Sequence, residues 1–396
     1  MNMQRYHIGI DIGSTTVKVV VLDTALHPIF KRYERHSAKP REKALEMLEL
    51  AKPLIQDHPV TVAISGSAGL SIANQAEIPF VQEVYATKIA VDSLQQGTDC
   101  VVELGGEDAK ILFLTGAVEE RMNGSCAGGT GAFIDQMASL LNVDNQQLDQ
   151  LSFQHKTVYP IASRCGVFAK SDIQPLLNQG AEKADIAASI FQSIVNQTIA
   201  GLAQGRQIKG KVVFLGGPLT FLLGLRERFV KTLQLGPESA IFPENGEFYV
   251  AIGAALCSLE EKEQSAEELA RAFIKASQVK TSVDTLPQLF FSQEEYDEFQ
   301  QRHAKASIPS FPLEQYSGRA YLGIDAGSTT TKLVLIDEQG RLLHQFYQSS
   351  KGEPLLLIKE QLSTLYELCG DRVTIAASAV TGYGEELLRH AFHADF

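Results

Sequence analysis

Short apolar runs alternate with longer amphipathic segments over the first 258 residues of the chain. The runs have the length of strands and are rich in β-branched residues, and they lie at 8–11, 17–22, 61–64, 100–104, 110–114 and 212–215. Segments 41–55, 130–141 and 184–203 have the length and the periodicity of helices. A β-hairpin followed by strand–helix units predicts an α/β fold with a mixed sheet.

The chain repeats its opening pattern near its end. Residues 7–18, HIGIDIGSTTVK, are matched by residues 321–332, YLGIDAGSTTTK, and each copy continues as an apolar strand that ends on an aspartate. The second copy stops at Phe396, before any equivalent of Leu104 onward. We therefore expect a second, truncated domain of the same type.

The segment between the two copies has a different composition. Residues 260–263 and 293–303 are charge-rich with helical periodicity, and Pro309 and Pro312 then interrupt any regular structure. The pattern predicts a linker with one or two surface helices. We expect a first domain at 1–258, a helical linker at 259–319 and a partial second domain at 320–396.

Composition and charge exclude several classes of protein. A chain of 396 residues fits two to three compact units, and a net charge of −12 argues against nucleic acid or an anionic membrane as the main partner. No run of eighteen apolar residues occurs, and the N-terminus lacks the features of a signal peptide. Five scattered cysteines are not a disulfide scaffold. We expect a cytoplasmic protein that spans no membrane.

The first repeated loop has the chemistry of a phosphate-binding loop. Gly13 permits a tight turn whose backbone N–H groups face inward, and Asp11 at the strand end can hold a hydrated Mg²⁺. Hydroxyl donors and a positive charge follow from Ser14, Thr15, Thr16 and Lys18. A Ser/Thr-rich hairpin turn capped by an aspartate is the structural alternative.

A companion loop follows the strand at 100–104. It begins with Glu103, continues through the glycine pair Gly105 and Gly106, and ends with Glu107 and Asp108. Two such loops facing one another would grip the β- and γ-phosphates of ATP. Glu107 or Asp108 would then orient the attacking water, and Glu103 could help hold the waters of the metal. A solvated Gly-Gly β-turn is the alternative.

A third strand ends on glycines that allow the backbone to approach a nucleoside. They are Gly216 and Gly217, and they follow the strand at 212–215. No GxxxxGK[ST] sequence is present, which excludes a Walker-type P-loop. Three loops in this order predict an actin-like (ribonuclease H-like) ATPase fold, with two subdomains around a nucleotide cleft.

Two cysteines lie where thiolates are favoured. Cys126 just precedes one predicted helix and Cys165 another, and a helix N-terminus lowers the pKa of a thiol. Two thiolates cannot hold a four-iron cluster, but two chains related by a two-fold axis can supply four. Burial as small core residues is the alternative, and zinc is less favoured because only His155 lies between them. The other cysteines are assigned to the core: Cys100, Cys257 and Cys369.

These segments, in this order, resemble the ATP-dependent activators of 2-hydroxyacyl-CoA dehydratases, a family that includes the ATPase subunits of benzoyl-CoA reductase. The resemblance covers essentially all of the first copy, and the stretches around Cys126 and Cys165 are its specific part. We assign Gly129 and Gly131, which lie in the first of these stretches, to nucleotide binding.

The resemblance implies a homodimer with one [4Fe–4S] cluster at its interface, held by Cys126 and Cys165 of both chains. ATP binding and hydrolysis would then drive a low-potential electron into an iron–sulfur dehydratase or reductase, with ferredoxin or flavodoxin as the electron donor. Two departures from the family stand out. Glu107 stands where family members usually carry glutamine. The segment Ser65-Gly66-Ser67-Ala68-Gly69 stands where the family has Thr-Gly-Tyr-Gly, which the second copy keeps at 381–384.

Two other functions fit the same fold. An N-acetylhexosamine-type kinase would need a general base such as Asp108 and would not use Cys126 or Cys165. A non-catalytic module would use nucleotide only as a conformational switch.

Overall fold

The computed structural model describes residues 5–56, 58–116, 118–123, 128–162, 166–278, 286–327, 329–350, 354–382 and 384–396. They divide into two compact units. The first contains Met1–Ala138, Asp144–Gly166 and Ala187–Thr281, and the second contains Ser139–Val143, Val167–Ile186 and Ser282–Phe396. The predicted boundaries at residues 258 and 319 stay predictions.

The first sheet is formed by the opening hairpin and the two strands around it. Its order is β3-β2-β1-β4, with β1 antiparallel to β2 and parallel to β4. Its elements are β1 (Tyr6–Ile12), β2 (Thr16–Leu22), β3 (Pro28–Arg35), α1 (Pro40–Ile55), β4 (Val60–Ser65), α2 (Gly69–Ala76) and α3 (Glu83–Leu94). Strands β1, β2 and β4 are buried along almost their whole length, which explains their continuous apolar runs.

The second sheet has five strands in the order β7-β6-β5-β8-β9. Its strands are β5 (Cys100–Leu104), β6 (Ala109–Phe113), β7 (Glu119–Met122), β8 (Val212–Leu215) and β9 (Ala240–Ile241). The α-helices of this part of the chain are α4 (Gly131–Leu140), α5 (Asn145–Ser152), α6 (Gly166–Asn178), α7 (Lys183–Thr198), α8 (Gly217–Phe221), α9 (Leu223–Leu233) and α10 (Tyr249–Cys257). Together the two sheets confirm the predicted mixed α/β architecture.

Helix α10 joins the two sheets of the first unit. It packs against α3, β1 and β4, and its apolar residues share a core with Val20 of β2, Val101 of β5 and Val213 of β8. Helix α10 is buried on nearly all sides, so its sequence lacks the polar face by which a surface helix is found. The periodicity of the sequence therefore predicts no helix there.

The segment after α10 is more closely packed than a linker with surface helices. Helix α11 (Ala266–Gln278) buries Leu269, Phe273 and Ala276 in the core between the first sheet and α1 and α2. Helix α12 (Gln293–Ala304) has no buried residue and is the exposed helix that the charge pattern predicted.

The second copy folds into a sheet of the same order, β12-β11-β10-β13. Its elements are β10 (Gly318–Ala326), β11 (Thr330–Asp337), β12 (Leu342–Ser349), α13 (Pro354–Cys369), β13 (Val373–Thr381) and α14 (Glu385–Phe392). This sheet has its own hydrophobic core, which includes Leu322, Leu335 and Leu365.

One described helical stretch is apolar enough to cross a membrane by length and composition. It runs from Lys183 to Ala203, where α7 continues into a π-helical turn, and its most apolar window has a mean hydropathy of 1.3. Since 67% of that window is buried inside the protein, it has the surroundings of a core helix.

Two of the three cysteines that the sequence assigned to the core are buried. They are Cys100 and Cys369, and burial raises the pKa of the Cys100 thiol to about 12.

Candidate functional site

A cavity of about 730 Å³ lies within the first unit, where the loops at the ends of the two sheets meet. This volume is in the range of small-molecule and cofactor sites. The first loop, the glycine pair after β5, the start of α4 and the glycines after β8 all contribute to its lining. The three predicted nucleotide loops therefore converge on one cavity.

The first loop is a tight turn between β1 and β2. Gly13 donates its backbone N–H to the carbonyl oxygen of Thr16 at 3.0 Å. Asp11 and Lys18 are directly opposite one another in the register, and Lys18 Nζ lies 2.8 Å from Asp11 Oδ2. Burial opposes the charge on Lys18, but Asp11 and Tyr33 outweigh burial and raise the pKa of the amine. The turn thus ends in a buried ion pair at the cavity wall.

The second loop lies directly against the first. A Cβ atom on Gly106 would lie 2.2 Å from Thr15 Oγ1, so only glycine allows the two loops to approach this closely. The start of α4 is fixed to the same loop, because Gly131 donates its N–H to the carbonyl of Gly105 at 3.0 Å and Ala132 donates to that of Gly106 at 2.7 Å. The two loops face one another as the sequence predicted.

A buried cluster of charges stands behind the second loop. Lys110 Nζ contacts Glu83, lies 2.6 Å from Asp108 Oδ2 and lies 3.9 Å from Glu103 Oε1. Thr87 Oγ1 donates to Glu103 Oε2 at 3.1 Å. Burial raises the pKa of Glu103 to about 7, although Lys110 acts in the opposite direction. Glu103 lines the cavity and can therefore hold or release a proton near neutral pH.

The third loop allows the backbone to approach the end of β5. Gly216 has a φ of +91°, and a Cβ atom there would lie 2.0 Å from the carbonyl oxygen of Leu104. Past this loop the cavity wall becomes apolar, since Phe153, Phe221 and Leu222 line it. An apolar wall beside a glycine turn suits a nucleoside base, whereas the hydroxyls and charges of the first two loops suit phosphates.

A comparison with known protein families identifies the family of the domain that contains this cavity. Residues 8–258 match the BadF/BadG/BcrA/BcrD ATPase family. The chain belongs to this family. It is therefore an ATP-binding ATPase, and the match covers the two sheets that form the cavity.

Relatives of this ATPase include dehydratase activators. The (R)-2-hydroxyglutaryl-CoA dehydratase activating ATPase of Acidaminococcus fermentans is 30% identical over 220 residues, which are 54% of this chain and 84% of that protein. The crystal structure of component A of that organism's dehydratase has a TM-score of 0.56 at 26% identity and covers 67% of this chain and 99% of its own. The activator of the 2-hydroxyisocaproyl-CoA dehydratase from Clostridium difficile, with bound ADPNP, has a TM-score of 0.55 at 25% identity and covers 70% and 100%. These likenesses confirm the predicted actin-like fold.

The ATPase cavity is lined by most of the residues that the sequence assigned to nucleotide binding. The lining residues among them are Asp11, Thr15, Thr16, Lys18, Gly105, Gly106, Gly131, Gly216 and Gly217. Gly13 and Ser14 belong to the same turn but do not line the cavity, and Gly129 packs against Gln197 of α7. The individual roles of all these residues stay predictions.

The two acids proposed to orient water lie away from the cavity lining. Glu107 is exposed, and Asp108 is held by Lys110 and packs on Gly105. Glu103 is the acid of this loop that lines the cavity. The catalytic role of Glu107 and Asp108 stays a prediction.

Cys126 and Cys165 lie outside the described residues of this ATPase, as do Ser328 and Tyr383 of the second copy. The residues that follow the two cysteines are described. Gly166, which begins α6, is so close to α4 that its Cβ would lie 3.2 Å from Gln136 Oε1 and 3.3 Å from Phe133 Cδ2. The start of α6 therefore lies against the first turns of α4.

Several residues that line the cavity were not predicted. Tyr33 and Arg35 lie on β3, which was not predicted as a strand, Asp135 lies on α4, and Glu247 lies in the short 3₁₀-helix before α10. Glu247 Oε2 is buried without a hydrogen-bond partner among the described residues. The alternation of Lys31, Tyr33 and Arg35 could have indicated a strand with a polar face toward the nucleotide loops.

Proposed function

We propose that this ATPase is an ATP-dependent activator of a 2-hydroxyacyl-CoA dehydratase or a related iron–sulfur reductase. The observation that carries the proposal is the meeting of the three glycine loops in one cavity, within a chain of the BadF/BadG/BcrA/BcrD ATPase family. The match to this chain covers 84% and 98% of the lengths of two relatives whose names state such an activator role.

The cavity residues fit a magnesium nucleotide. The loop at 13–16 and the pair Gly105 and Gly106 would hold the phosphates from opposite sides, and a Cβ at position 106 would overlap Thr15 of the first loop. Asp11 would hold Mg²⁺ through its waters, which is the manner in which this ion commonly binds. Bound ATP supplies the phosphoryl group whose hydrolysis releases the free energy for activation.

The electron-transfer part of the proposal depends on Cys126 and Cys165. We propose that two chains form a homodimer and that these cysteines hold one [4Fe–4S] cluster between them, with ferredoxin or flavodoxin as the electron donor. Two features support this arrangement. The starts of α4 and α6 are adjacent, and Val167 and Phe168, next to Cys165, are 68% and 65% exposed. Apolar side chains at the surface suit an interface between subunits.

The test is anaerobic purification of the full chain, reconstitution with iron and sulfide, and electron paramagnetic resonance of the reduced protein. We expect about four irons per two chains. Cys126→Ala and Cys165→Ala should lose the cluster and the transfer of electrons to a dehydratase but retain ATP binding. Cys257→Ala is the matched control, because Cys257 is far from both cysteines in the sequence. Its thiol is half-buried, and burial raises its pKa.

Two results would contradict the cluster assignment. One is iron far below four per dimer in the reconstituted wild type, and the other is full iron retention in Cys126→Ala. Phosphoryl transfer to an N-acetylhexosamine that is unaffected by both cysteine variants would instead favour the kinase alternative.

We also propose that residues 1–258 form the ATPase domain, 259–319 a linker and 320–396 a second domain. The proposed location is the cytoplasm, where thiols remain reduced and available to iron.

A further inference from the structure

Arg35 is a cation at the cavity that no predicted role uses. It is the last residue of β3 and is paired in the register with Thr16 of the first phosphate loop. The next residue, His36, donates its backbone N–H to the carbonyl of Thr15 at 3.2 Å. Arg35 is therefore fixed at its backbone to the loop that would hold the phosphates, and its side chain lines the cavity.

The guanidinium of Arg35 is held by an acid on the opposite side of the site. Arg35 Nη2 lies 2.8 Å from Oδ2 and 3.1 Å from Oδ1 of Asp135 on α4. Asn145 Nδ2 donates to Asp135 Oδ1 at 2.6 Å, which orients the carboxylate. Helix α4 is itself bonded to the second phosphate loop through Gly131. The pair thus connects the two loops beside the place where they touch.

This ion pair can break at little cost. The side chains of Arg35 and Asp135 are 61% and 36% exposed, and ion pairs between exposed groups stabilise a protein only slightly. Lys18 is the other cation among the described residues that line the cavity, and its side chain is only 15% exposed and bound to Asp11. Arg35 is therefore the lining cation that can change its partner most easily.

We propose that Arg35 leaves Asp135 when ATP binds and contacts the γ-phosphate, so that it is a catalytic residue of ATP hydrolysis. In that step the oxygen of water bonds to the γ-phosphorus and the bond from phosphorus to the bridging oxygen breaks. ADP, inorganic phosphate and a proton are released. A guanidinium placed at the γ-phosphate stabilises the negative charge of the transition state, and its planar geometry matches phosphate oxygens.

The first test compares Arg35→Gln with Arg35→Lys in the full chain. We expect Arg35→Gln to lower kcat about a hundredfold or more. It should also weaken binding of a non-hydrolysable ATP analogue at least about tenfold while ADP binding changes less than about threefold, because only ATP carries the γ-phosphate. Arg35→Lys keeps the charge without the planar fork and should recover part of both losses.

Arg32→Gln is the matched control, because Arg32 is an exposed arginine of the same strand that does not line the cavity. It should bind both nucleotides and hydrolyse ATP as the wild type does. Equal behaviour of Arg35→Gln and Arg32→Gln would overturn the proposal.

Asp135→Asn separates catalysis from a purely structural ion pair. If Arg35 acts on the γ-phosphate, its release from Asp135 should tighten binding of the ATP analogue about two- to fivefold, the size of a lost exposed ion pair. If the pair only holds the two loops together, Asp135→Asn and Arg35→Gln should both reduce binding and hydrolysis, and the proposal is then wrong. These measurements use neither a cluster nor a partner, so they stand whether or not the activator proposal holds.

Discussion

The hairpins β1–β2 and β10–β11 are closed by equivalent backbone hydrogen bonds in two different surroundings. In the first, Gly13 donates its N–H to the carbonyl of Thr16 at 3.0 Å, and in the second, Gly327 donates to Thr330 at 3.0 Å. Each hairpin also lies beside a third antiparallel strand and a parallel fourth strand. The hydrogen bond that closes the turn therefore forms in both surroundings.

The ion pair of the loop is also the same in both hairpins, but its exposure is not. Lys18 lies 2.8 Å from Asp11, with side chains 15% and 6% exposed. Lys332 lies 2.9 Å from Asp325, with side chains 33% and 43% exposed. The same two residue types thus form a nearly dry pair in one copy and a solvated pair in the other.

The difference comes from what faces the loop. In the first unit Gly106 packs on Thr15 and the start of α4 is bonded to the facing loop. Removal of water strengthens electrostatic interactions, so the first pair can act strongly on a bound phosphate. The exposure of the ion pair therefore depends on the second loop, and so does the strength of the pair's interaction with a bound phosphate.

Substitution of the equivalent aspartates Asp11 and Asp325 should give the greatest difference between the two copies. Asp11→Ala should lower the ATPase rate about a hundredfold or more, because Asp11 is the buried group that we propose to hold the metal. Asp325→Ala, at the exposed copy, should change the rate less than about twofold. Steady-state hydrolysis of ATP by the full chain measures both. Equal losses in the two variants would contradict the distinction between the copies.

The next effect concerns the loop that faces the first hairpin, and it depends on pH. Because burial raises the pKa of Glu103 from 4.5 to about 7, the folded protein binds a proton that the unfolded chain has released in this range. The stabilising contribution is complete below about pH 4.5 and is lost as the pH rises through about 7. We expect it to amount to at most about 3 kcal/mol.

Glu103→Gln should remove this pH dependence. The measurement is the free energy of unfolding of the first unit in urea, at about pH 5 and at about pH 8. Glu107→Gln is the control, because Glu107 is in the same loop but exposed, and it should keep the dependence of the wild type. If stability falls equally with pH in Glu103→Gln and the wild type, the proton is not on Glu103.

A smaller effect tests what the two copies share. Gly66 and Gly382 have φ angles of +98° and +95°, and a Cβ at these sites would lie 2.2 Å from the carbonyl of Ile12 and 2.5 Å from that of Ala326. Gly66→Ala and Gly382→Ala should each cost about 1–3 kcal/mol locally. Hydrogen exchange of β1 in one variant and β10 in the other reports these losses. Very different losses would show that the two turns are not equivalent.

The smallest effect concerns the aromatic ring next to each lysine. Lys18 Nζ lies 5.6 Å from the ring centroid of Tyr33, and Lys332 Nζ lies 5.8 Å from that of Tyr347. Tyr347→Leu should cost about 0.5 kcal/mol, the size of an exposed cation–π contact. Tyr33→Leu should cost more, because Tyr33 also packs edge-on against Phe221 at 5.6 Å. Thermal unfolding of both variants tests this order.

Sequence alone determined the features that depend on neighbouring residues. Strands β5 and β8 have the predicted bounds. The repeat predicted that each of the two hairpins would have a loop of the same type. The ATPase class followed from three glycine loops in order, because such loops need particular residues at particular spacings. Burial in a core hid α10, since a helix that is apolar on all sides has no periodic polar face.

Which polar groups reach the cavity depends on contacts between residues that are distant in sequence. Glu107 and Asp108 follow a glycine pair, as water-orienting acids would, but Asp108 Oδ2 lies 2.6 Å from Lys110 Nζ and Glu103 is the acid of this loop that lines the cavity. Arg35 is separated from Asp135 by 100 positions, and no local pattern relates them. Local spacing fixes the conformation of a loop, but long-range packing fixes the charges that surround it, because electrostatic interactions depend on burial and on partners that are distant in sequence.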